Sequence, residues 1–396
     1  MFDPEPRAPA ARQIAGVGLQ FFFAIIAADI PRSFLVGIAP LVLSAFVVDR
    51  GFGEKLAAWL SSVELLAAAV AAIAVSGWLT RGSRSRMAAF GLTLVVVAQL
   101  ASVLRLDFAP LLGLRMIAGA GAGLAGAAAT AAAAGSRSPE RLFGAIGFVV
   151  ALVGAVTAGP IGMAIGKYGA AGAFVIAAGL TALAFPLLGK LPSPDSTHES
   201  HDKAVADEPG TQNTTVALMI LIPLFFTMLG QNAVWSFTVQ IGLTTGLAVG
   251  EVSWVLALTA LTGLAGAALA SVLNTQRGRT TPLLFSILGT VIAVYSLVEA
   301  TTPLPYIVAN GAWSFFFAFS MPYFIGSLAT LDRRGRWATL GTGLAGIGGA
   351  LGPAVTGGLV EANGYSILQG IVLATGLFSG ALLVPAMLKI DRGDID

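Results

Sequence analysis

The sequence contains no cysteine and only two histidines, His198 and His201, which both lie in a polar segment. Without cysteine there can be no disulfide, thiolate metal site or cysteine nucleophile. Without histidine, the apolar segments lack the commonest ligand of intramembrane metalloenzymes, so we expect no metal site. The motifs H-E-x-x-H, G-x-S-x-G and G-x-x-x-x-G-K-[ST] are also missing, so we expect neither an enzyme, nor an ATP-driven pump, nor a cofactor.

Charge is scarce as well. Asp, Glu, Lys and Arg make up 11% of the 396 residues, compared with about 25% in soluble domains. Apolar residues make up 56%, which indicates a membrane protein with many spans. The net charge of +2 is too small to indicate nucleic-acid binding. The N-terminal segment carries charges of both signs and no small-residue cleavage site, so we expect no signal peptide.

A helix needs about 20 apolar residues to cross the hydrocarbon core of a bilayer. On that basis the sequence predicts twelve spans, and the first is longer than necessary, so we expect it to tilt or bend. The predicted spans are residues 14–47, 56–78, 87–104, 109–134, 143–165, 170–188, 216–243, 252–273, 282–298, 304–328, 338–360 and 366–388.

One long polar stretch, residues 191–215, is rich in Pro, Ser, Thr, Asp and Glu. Such a composition cannot bury a core and predicts a flexible linker. It separates six spans from six. We therefore expect an N-terminal bundle in residues 1–190, a cytoplasmic linker, and a C-terminal bundle in residues 216–396.

The distribution of Lys and Arg predicts the orientation, because cytoplasmic loops carry an excess of both. If the N-terminus is cytoplasmic, almost all basic residues fall inside. This bias favours a multi-pass protein of the cell inner membrane with both termini in the cytoplasm. Four basic residues fall outside: Arg50, Lys55, Arg105 and Lys167. Two more, Arg32 and Arg115, lie within spans.

The first span carries two charged residues, Asp29 and Arg32. Ionisable side chains inside a membrane are costly and persist mainly where they face a partner, a substrate or water. Residues three apart are neighbours on a helix, so these two can meet, and Pro31 between them predicts a bend. We expect a transport site in which Asp29 binds protons and Arg32 binds substrate. The alternative is a self-neutralising pair that only shapes the helix.

Glu64 is the second candidate for proton coupling, because it lies well inside the second span. The other acidic residues of the spans and short loops lie near the outer ends, where side chains are more often solvated. They are Asp49, Glu54, Asp107, Glu251, Glu299 and Glu361.

The two halves of the chain resemble each other. FFFAIIAADIPRSF in the first span aligns with LFFTMLGQNAVWSF in the seventh, so Asp29 matches Asn232 and Arg32 matches Trp235. GAVTAGPIGMAIGKYG in the fifth span recurs as GIGGALGPAVTGGLVEANGY in the eleventh. Duplicated halves are typical of secondary transporters, which place the substrate between the halves near the bilayer midplane.

The twelve spans, the central loop and several motifs make the chain resemble the major facilitator superfamily of secondary transporters over essentially its whole length. In the fourth span, LLGLRMIAGAGAG matches the family pattern R-x-x-x-G-x-G, with Arg115 as the arginine. The resemblance implies an all-α fold of two pseudo-symmetric six-helix bundles, alternating access, and a role for Arg115 in proton coupling. The alternative for Arg115 is a structural arginine bonded to backbone carbonyls.

A gating loop is also implied by the resemblance. GWLTRGSRSR, residues 77–86, stands where the family reads G-x-x-x-D-R-x-G-R-R. Arg81, Arg84 and Arg86 keep the basic character, but Arg81 occupies the acidic position, which puts the family's salt-bridge latch in doubt. The alternative is that these arginines only set the orientation of the protein in the membrane.

Gly159-Pro160 resembles the family's glycine-proline motif, first associated with antiporters, and Gly352-Pro353 repeats it in the second half. The double glycine expected after it is replaced by Met163 and Ala164. We expect both copies to take part in gating. Close packing between helices is the alternative.

The C-terminal half contributes amides and aromatic rings rather than charges. This predicts a wall that suits a substrate with an aromatic or apolar body; aromatic rings that face lipid or the core are the alternative. The residues expected to bind substrate are Gln231, Asn232, Trp235, Asn310, Trp313 and Phe317.

Together these patterns predict proton-coupled symport of a small amphipathic organic solute, with an organic anion favoured by the embedded arginines. A proton-antiport exporter of hydrophobic drugs or metabolites is the alternative. The expected partners are a small-molecule substrate, protons and the lipid bilayer, with no nucleic acid, and the protein is expected to work as a monomer. The duplicated halves disfavour a channel, and the short polar linker disfavours a sensor.

Overall fold

The computed structural model describes residues 13–14, 17–79, 82–136, 139–191, 214–273, 278–331 and 336–392. Arg81 and most of the predicted linker lie outside the described residues. Within these residues, a short antiparallel pair, β1 Gln13–Ile14 and β2 Val17–Gly18, precedes thirteen helices. The helices are α1 Leu19–Gly37, α2 Ala39–Val48, α3 Glu54–Val75, α4 Arg84–Ala101, α5 Phe108–Ala134, α6 Pro139–Tyr168, α7 Ala170–Leu188, α8 Thr214–Thr244, α9 Val249–Leu273, α10 Thr280–Val298, α11 Pro303–Thr330, α12 Arg336–Asn363 and α13 Ser366–Arg392.

Eleven of the described helices are long and apolar enough to cross a membrane. The twelfth span is α4, which begins with Arg84 and Arg86 and is therefore more polar. Helix α2 is the C-terminal part of the first span. The prediction of an all-α membrane protein with twelve spans is confirmed.

The first span is broken at Ile38 rather than at Pro31. Pro31 lies inside α1, whose helix continues for another six residues to Gly37. Pro40 lies in the first turn of α2, where the missing amide N–H of proline has no helical partner to lose. The first span therefore contains, besides Pro31, a break at Ile38, about two helical turns further along.

The glycines of the Arg115 motif serve close helix packing. A Cβ at Gly119 would overlap the backbone carbonyl oxygen of Glu64 on α3, and one at Gly121 would lie 2.5 Å from the carbonyl oxygen of Gly91 on α4. Small residues let membrane helices approach this closely. The motif therefore presses α5 against both neighbours and brings Arg115 within reach of their side chains.

We expect Gly119→Ala to destabilise the protein by about 1–3 kcal/mol, the usual cost of overpacking, because the obstacle is backbone rather than a flexible side chain. The melting temperature of the purified protein in detergent would fall. Gly113→Ala on the same helix is the matched control, because a Cβ there meets nothing within 4 Å. Equal melting temperatures for the two variants would contradict this account of the motif.

The two halves pack together through α3 with α12 and through α6 with α9. Glycines again mark the contacts: a Cβ at Gly357 would lie 2.5 Å from the Cβ of Ala58, and one at Gly159 would lie 2.6 Å from the ring of Trp254. Within the described residues, the hydrogen bonds between the halves lie toward the end where α2, α8 and α12 finish and α3 begins. We call this the closed end.

Candidate functional site

Helix α1 presents a compact charged cluster. The Arg32 guanidinium donates to Oδ1 of Asp29 from Nε at 2.9 Å and from Nη2 at 2.5 Å. The Ser33 hydroxyl donates to Oδ2 of Asp29 at 2.7 Å. All three side chains come from one turn of helix, so the spacing read from the sequence is sufficient to produce the pair. The Asp29 carboxylate is buried and accepts all three of these hydrogen bonds.

Arg32 is half exposed although it lies in a membrane span, with 48% of its side chain accessible. Its stem packs against α5, where a Cβ at Gly126 would lie 2.6 Å from the Arg32 Cδ. The carbonyl of Val36, one turn further along α1, accepts a hydrogen bond at 3.0 Å from the indole of Trp235 in the other half. Arg32 therefore lies one helical turn before a contact between the halves.

Three predicted residues of the C-terminal half lie together. The Trp313 indole N–H donates to Oε1 of Gln231, which joins α11 to α8. The rings of Trp235 and Trp313 lie 6.1 Å apart between centroids, inclined at 40°. Trp313 and Gln231 are buried, and Trp235 is partly exposed. The indole of Trp235 is the part of this group that reaches the N-terminal half, through the carbonyl of Val36.

The other predicted wall residues lie elsewhere. Asn310 is fully buried. It donates a hydrogen bond to Thr238 at 3.0 Å and accepts one from Thr259 at 3.3 Å, so it joins α11 to α8 and α9 instead of facing a substrate. Asn232 donates to the carbonyl of Met228 at 3.0 Å and packs beneath Gly349 of α12. Phe317 is half buried against the core at the end of the C-terminal half opposite the closed end.

A second ion pair lies inside the N-terminal half. Arg115, of which only 1% is exposed, donates to Glu64 Oε1 and to Gln99 Oε1, both at 3.1 Å, and to the Ser102 hydroxyl at 2.6 Å. Its guanidinium carbon also lies 4.7 Å from the centre of the Phe174 ring. This arginine therefore ties α5 to α3, α4 and α7.

A cavity of about 30 Å³ adjoins this pair and is lined by Glu64, Gln99 and Arg115. The volume exceeds the roughly 10–15 Å³ that a water molecule requires. Pro31 and Phe34 of α1 form part of its wall, and Asp29 and Arg32 are not among its lining residues. The expected proton-coupling residues thus lie in two separate ion pairs: Asp29 pairs with Arg32, and Glu64 pairs with Arg115.

The residues expected to act in gating take different positions. Arg84 is buried at the start of α4, Arg86 is exposed, and Arg81 is not described. Gly159 lies at the contact between the halves, beneath Trp254, and its neighbour Pro160 is exposed. Gly352 instead lies against Leu229 within the C-terminal half.

Pro353 is buried beside Gly352, and the next residue, Ala354, donates its N–H to Ser62 of the other half at 2.8 Å. The second copy of the glycine-proline motif therefore joins packing within one half to a contact between the halves.

Sequence reasoning missed the side chains that join the halves at the closed end. Glu54 and Glu361 were grouped with solvated residues, yet Glu54 accepts hydrogen bonds from Tyr365 and Gln240, and Glu361 accepts one from the amide of Lys55. No local pattern marks these partners, because they lie between 186 and 311 residues apart. In the part of the chain that is described, no group of three or more His, Asp or Glu side chains could hold a metal ion.

The fold defines a helical membrane protein of two six-helix halves. The profile of the Major Facilitator Superfamily matches residues 21–219. The chain belongs to this superfamily and is a membrane transporter rather than an enzyme.

Solved structures agree in fold. The nucleoside transporter NupG, in a mutant form, superimposes with a TM-score of 0.70 at 15% identity, over 93% of this chain and 99% of that one. The xylose transporter XylE from E. coli, in an inward-open conformation, gives 0.67 at 14% identity, over 90% of this chain and 94% of that one. No curated protein matches the chain by sequence. Identities this low show the fold alone.

Proposed function

We propose that this transporter carries a small amphipathic organic anion together with protons, works as a monomer, and lies in the inner membrane with both termini cytoplasmic. In this orientation the closed end faces outward. The observation that carries the proposal is the Asp29–Arg32 pair, in which a buried carboxylate holds a half-exposed guanidinium inside a membrane span. Such groups inside a membrane are typical of substrate and proton pathways.

The pair couples the two substrates through charge. When Asp29 is ionised, Arg32 is compensated and has little attraction for an anion. When Asp29 binds a proton, the Arg32 charge becomes free to bind a carboxylate of the substrate. A proton and an anion then occupy the site together without changing its net charge, which favours their joint movement across the low-dielectric span.

The aromatic pair Trp235 and Trp313 supports an apolar or aromatic body for the substrate. Trp235 is partly exposed, and its ring lies near the ring of the buried Trp313, which Gln231 holds in place. Mostly apolar walls with a few polar groups that orient the ligand are typical of small-molecule sites. The two glycine-proline motifs and the start of α4, with Arg84 and Arg86, would accompany the movement of the halves.

The test is uptake into proteoliposomes under an inward proton gradient, with aromatic carboxylates, their neutral amides and lipophilic cations as the panel. We expect accumulation of a carboxylate and a loss of at least about tenfold in its apparent affinity in Arg32→Ala, since a charge-assisted bidentate contact contributes roughly 1.5–3 kcal/mol. The neutral amide of the same compound should be affected much less.

Arg105→Ala is the matched control, because that arginine pairs with Asp49 in a loop and is 76% exposed. Equal losses for the acid and its amide in Arg32→Ala would argue that Arg32 is structural. Expulsion of lipophilic compounds by the gradient, with no uptake of any anion, would replace symport by proton-antiport export.

A further inference from the structure

Helix α3 has no capping side chain of its own, because its N-cap residue is Gly53. N-cap side chains normally accept a hydrogen bond from the second or third amide of the helix. Here Glu361 of α12, in the other half, provides that acceptor: its Oε2 accepts from the amide of Lys55 at 2.9 Å. A negative charge at a helix N-terminus is also favoured by the helix dipole. The cap of α3 therefore exists only while the halves meet at the closed end.

Gly53 is explained by this contact and not by its backbone conformation. Its φ of −64° is available to any residue. A Cβ at this position would lie 2.5 Å from Oε2 and 3.2 Å from Cδ of Glu361. Glycine thus leaves the space in which Glu361 reaches the helix end.

A second layer of hydrogen bonds lies behind the cap. The Tyr365 hydroxyl donates to Oε1 of Glu54 at 2.7 Å, and the Gln240 amide donates to the same oxygen at 3.5 Å. Oε1 of Gln240 in turn accepts from the buried Ser44 hydroxyl at 3.0 Å. Burial, and then the hydrogen bond to Glu54 and its charge, raises the pKa of Tyr365, so the phenol remains a donor at physiological pH.

We propose that Glu361 and Tyr365 form a latch on the first turn of α3 that holds the two halves together at the closed end. When this end opens, the α3 amides exchange Glu361 for water, and Glu54 loses its partners on α8 and beyond α12. The latch sets how readily the transporter leaves the present conformation. It acts on any substrate, so it does not depend on the organic-anion proposal.

The natural absence of cysteine makes the latch directly testable by thiol labelling. Ser62→Cys is the reporter: Ser62 is fully buried, lies between α3 and α12, and is not part of the latch. In nanodiscs both faces are accessible, so a maleimide reports opening whatever the orientation. We expect Glu361→Ala and Tyr365→Phe each to accelerate labelling of the reporter about fivefold. This factor corresponds to the usual effect of losing one helix cap or one hydrogen bond.

Gly53→Ala provides a sharper test. It should accelerate labelling in the parent, because the new methyl group displaces Glu361, but not in the Glu361→Ala background, where the obstacle is gone. Such dependence of one substitution on the other is the mark of a direct contact. Glu251→Ala is the control, since Glu251 caps its own helix within one half through the amide of Ala248 and should leave the labelling rate unchanged.

A separate reporter distinguishes opening from unfolding. Ser327→Cys is fully buried inside the C-terminal half, so it should remain unlabelled in every latch variant. Labelling of the Ser62→Cys reporter at the parental rate in Glu361→Ala, Tyr365→Phe and Gly53→Ala would overturn the latch. Equal acceleration at both reporters would also overturn it, because the variants would then only loosen the fold.

Discussion

Asp29→Asn should abolish accumulation driven by a proton gradient while exchange of substrate across the membrane continues. The amide can still accept a hydrogen bond from Arg32, which keeps the local geometry, but it cannot bind or release a proton. Because the neutral amide resembles protonated Asp29, binding of the anion should become independent of pH. The measurement is gradient-driven uptake beside counterflow in the same proteoliposomes.

Asp391→Asn is the matched control for this substitution. Asp391 also pairs with an arginine, Arg279 at 3.4 Å, but at the end of the molecule opposite the closed end. The Asp391→Asn variant should retain full proton-driven accumulation of the substrate. Normal proton-driven accumulation by Asp29→Asn would contradict the assignment of Asp29 as the proton carrier. The Asp29–Arg32 pair would then be a structural feature of α1.

Arg115→Ala should cause the largest loss of stability. Removing one partner of a buried ion pair leaves the other charge uncompensated, at a cost of about 3–5 kcal/mol. Here it would also remove the hydrogen bonds to Gln99 and Ser102 that tie α5 to α4. The melting temperature in detergent should fall far more than for Arg105→Ala, which removes an exposed arginine from a loop.

The Glu64→Gln background separates charge from packing. In that background the carboxylate is gone, so Arg115→Ala should cost less than it does in the parent, and the difference measures the coupling of the pair. Glu64→Gln alone tests the second proton-coupling candidate: loss of gradient-driven uptake with a parental melting temperature would support a proton-carrying role. An unchanged melting temperature in Arg115→Ala would contradict the buried-pair account.

The predictions that rest on local chain properties agree with the structure. The number of spans follows from apolar lengths, because each helix must satisfy its own backbone hydrogen bonds in lipid. The meeting of Asp29 and Arg32 follows from their spacing of three within one helix. Membership of the transporter superfamily followed from the span pattern and the Arg115 motif, and the family comparison confirms it.

The sequence did not predict the contacts that depend on how the helices are rotated and packed. Arg115 pairs with Glu64, 51 positions away, because Gly119 lets α5 approach α3 closely enough. Asn310 forms hydrogen bonds between helices instead of facing a substrate. A polar residue in an apolar span must find a partner, but the sequence does not show on which neighbouring helix that partner lies.

The sequence by itself therefore determined a twelve-span transporter with a charged cluster in its first span, since helix length and helical spacing are local quantities. Only the tertiary structure decided that Asp29 is buried while Arg32 is half exposed, that Arg115 belongs to a separate buried pair, and that Glu361 caps α3 from 306 residues away. These arrangements depend on how whole helices pack, and that is set by many small residues acting together across the bundle.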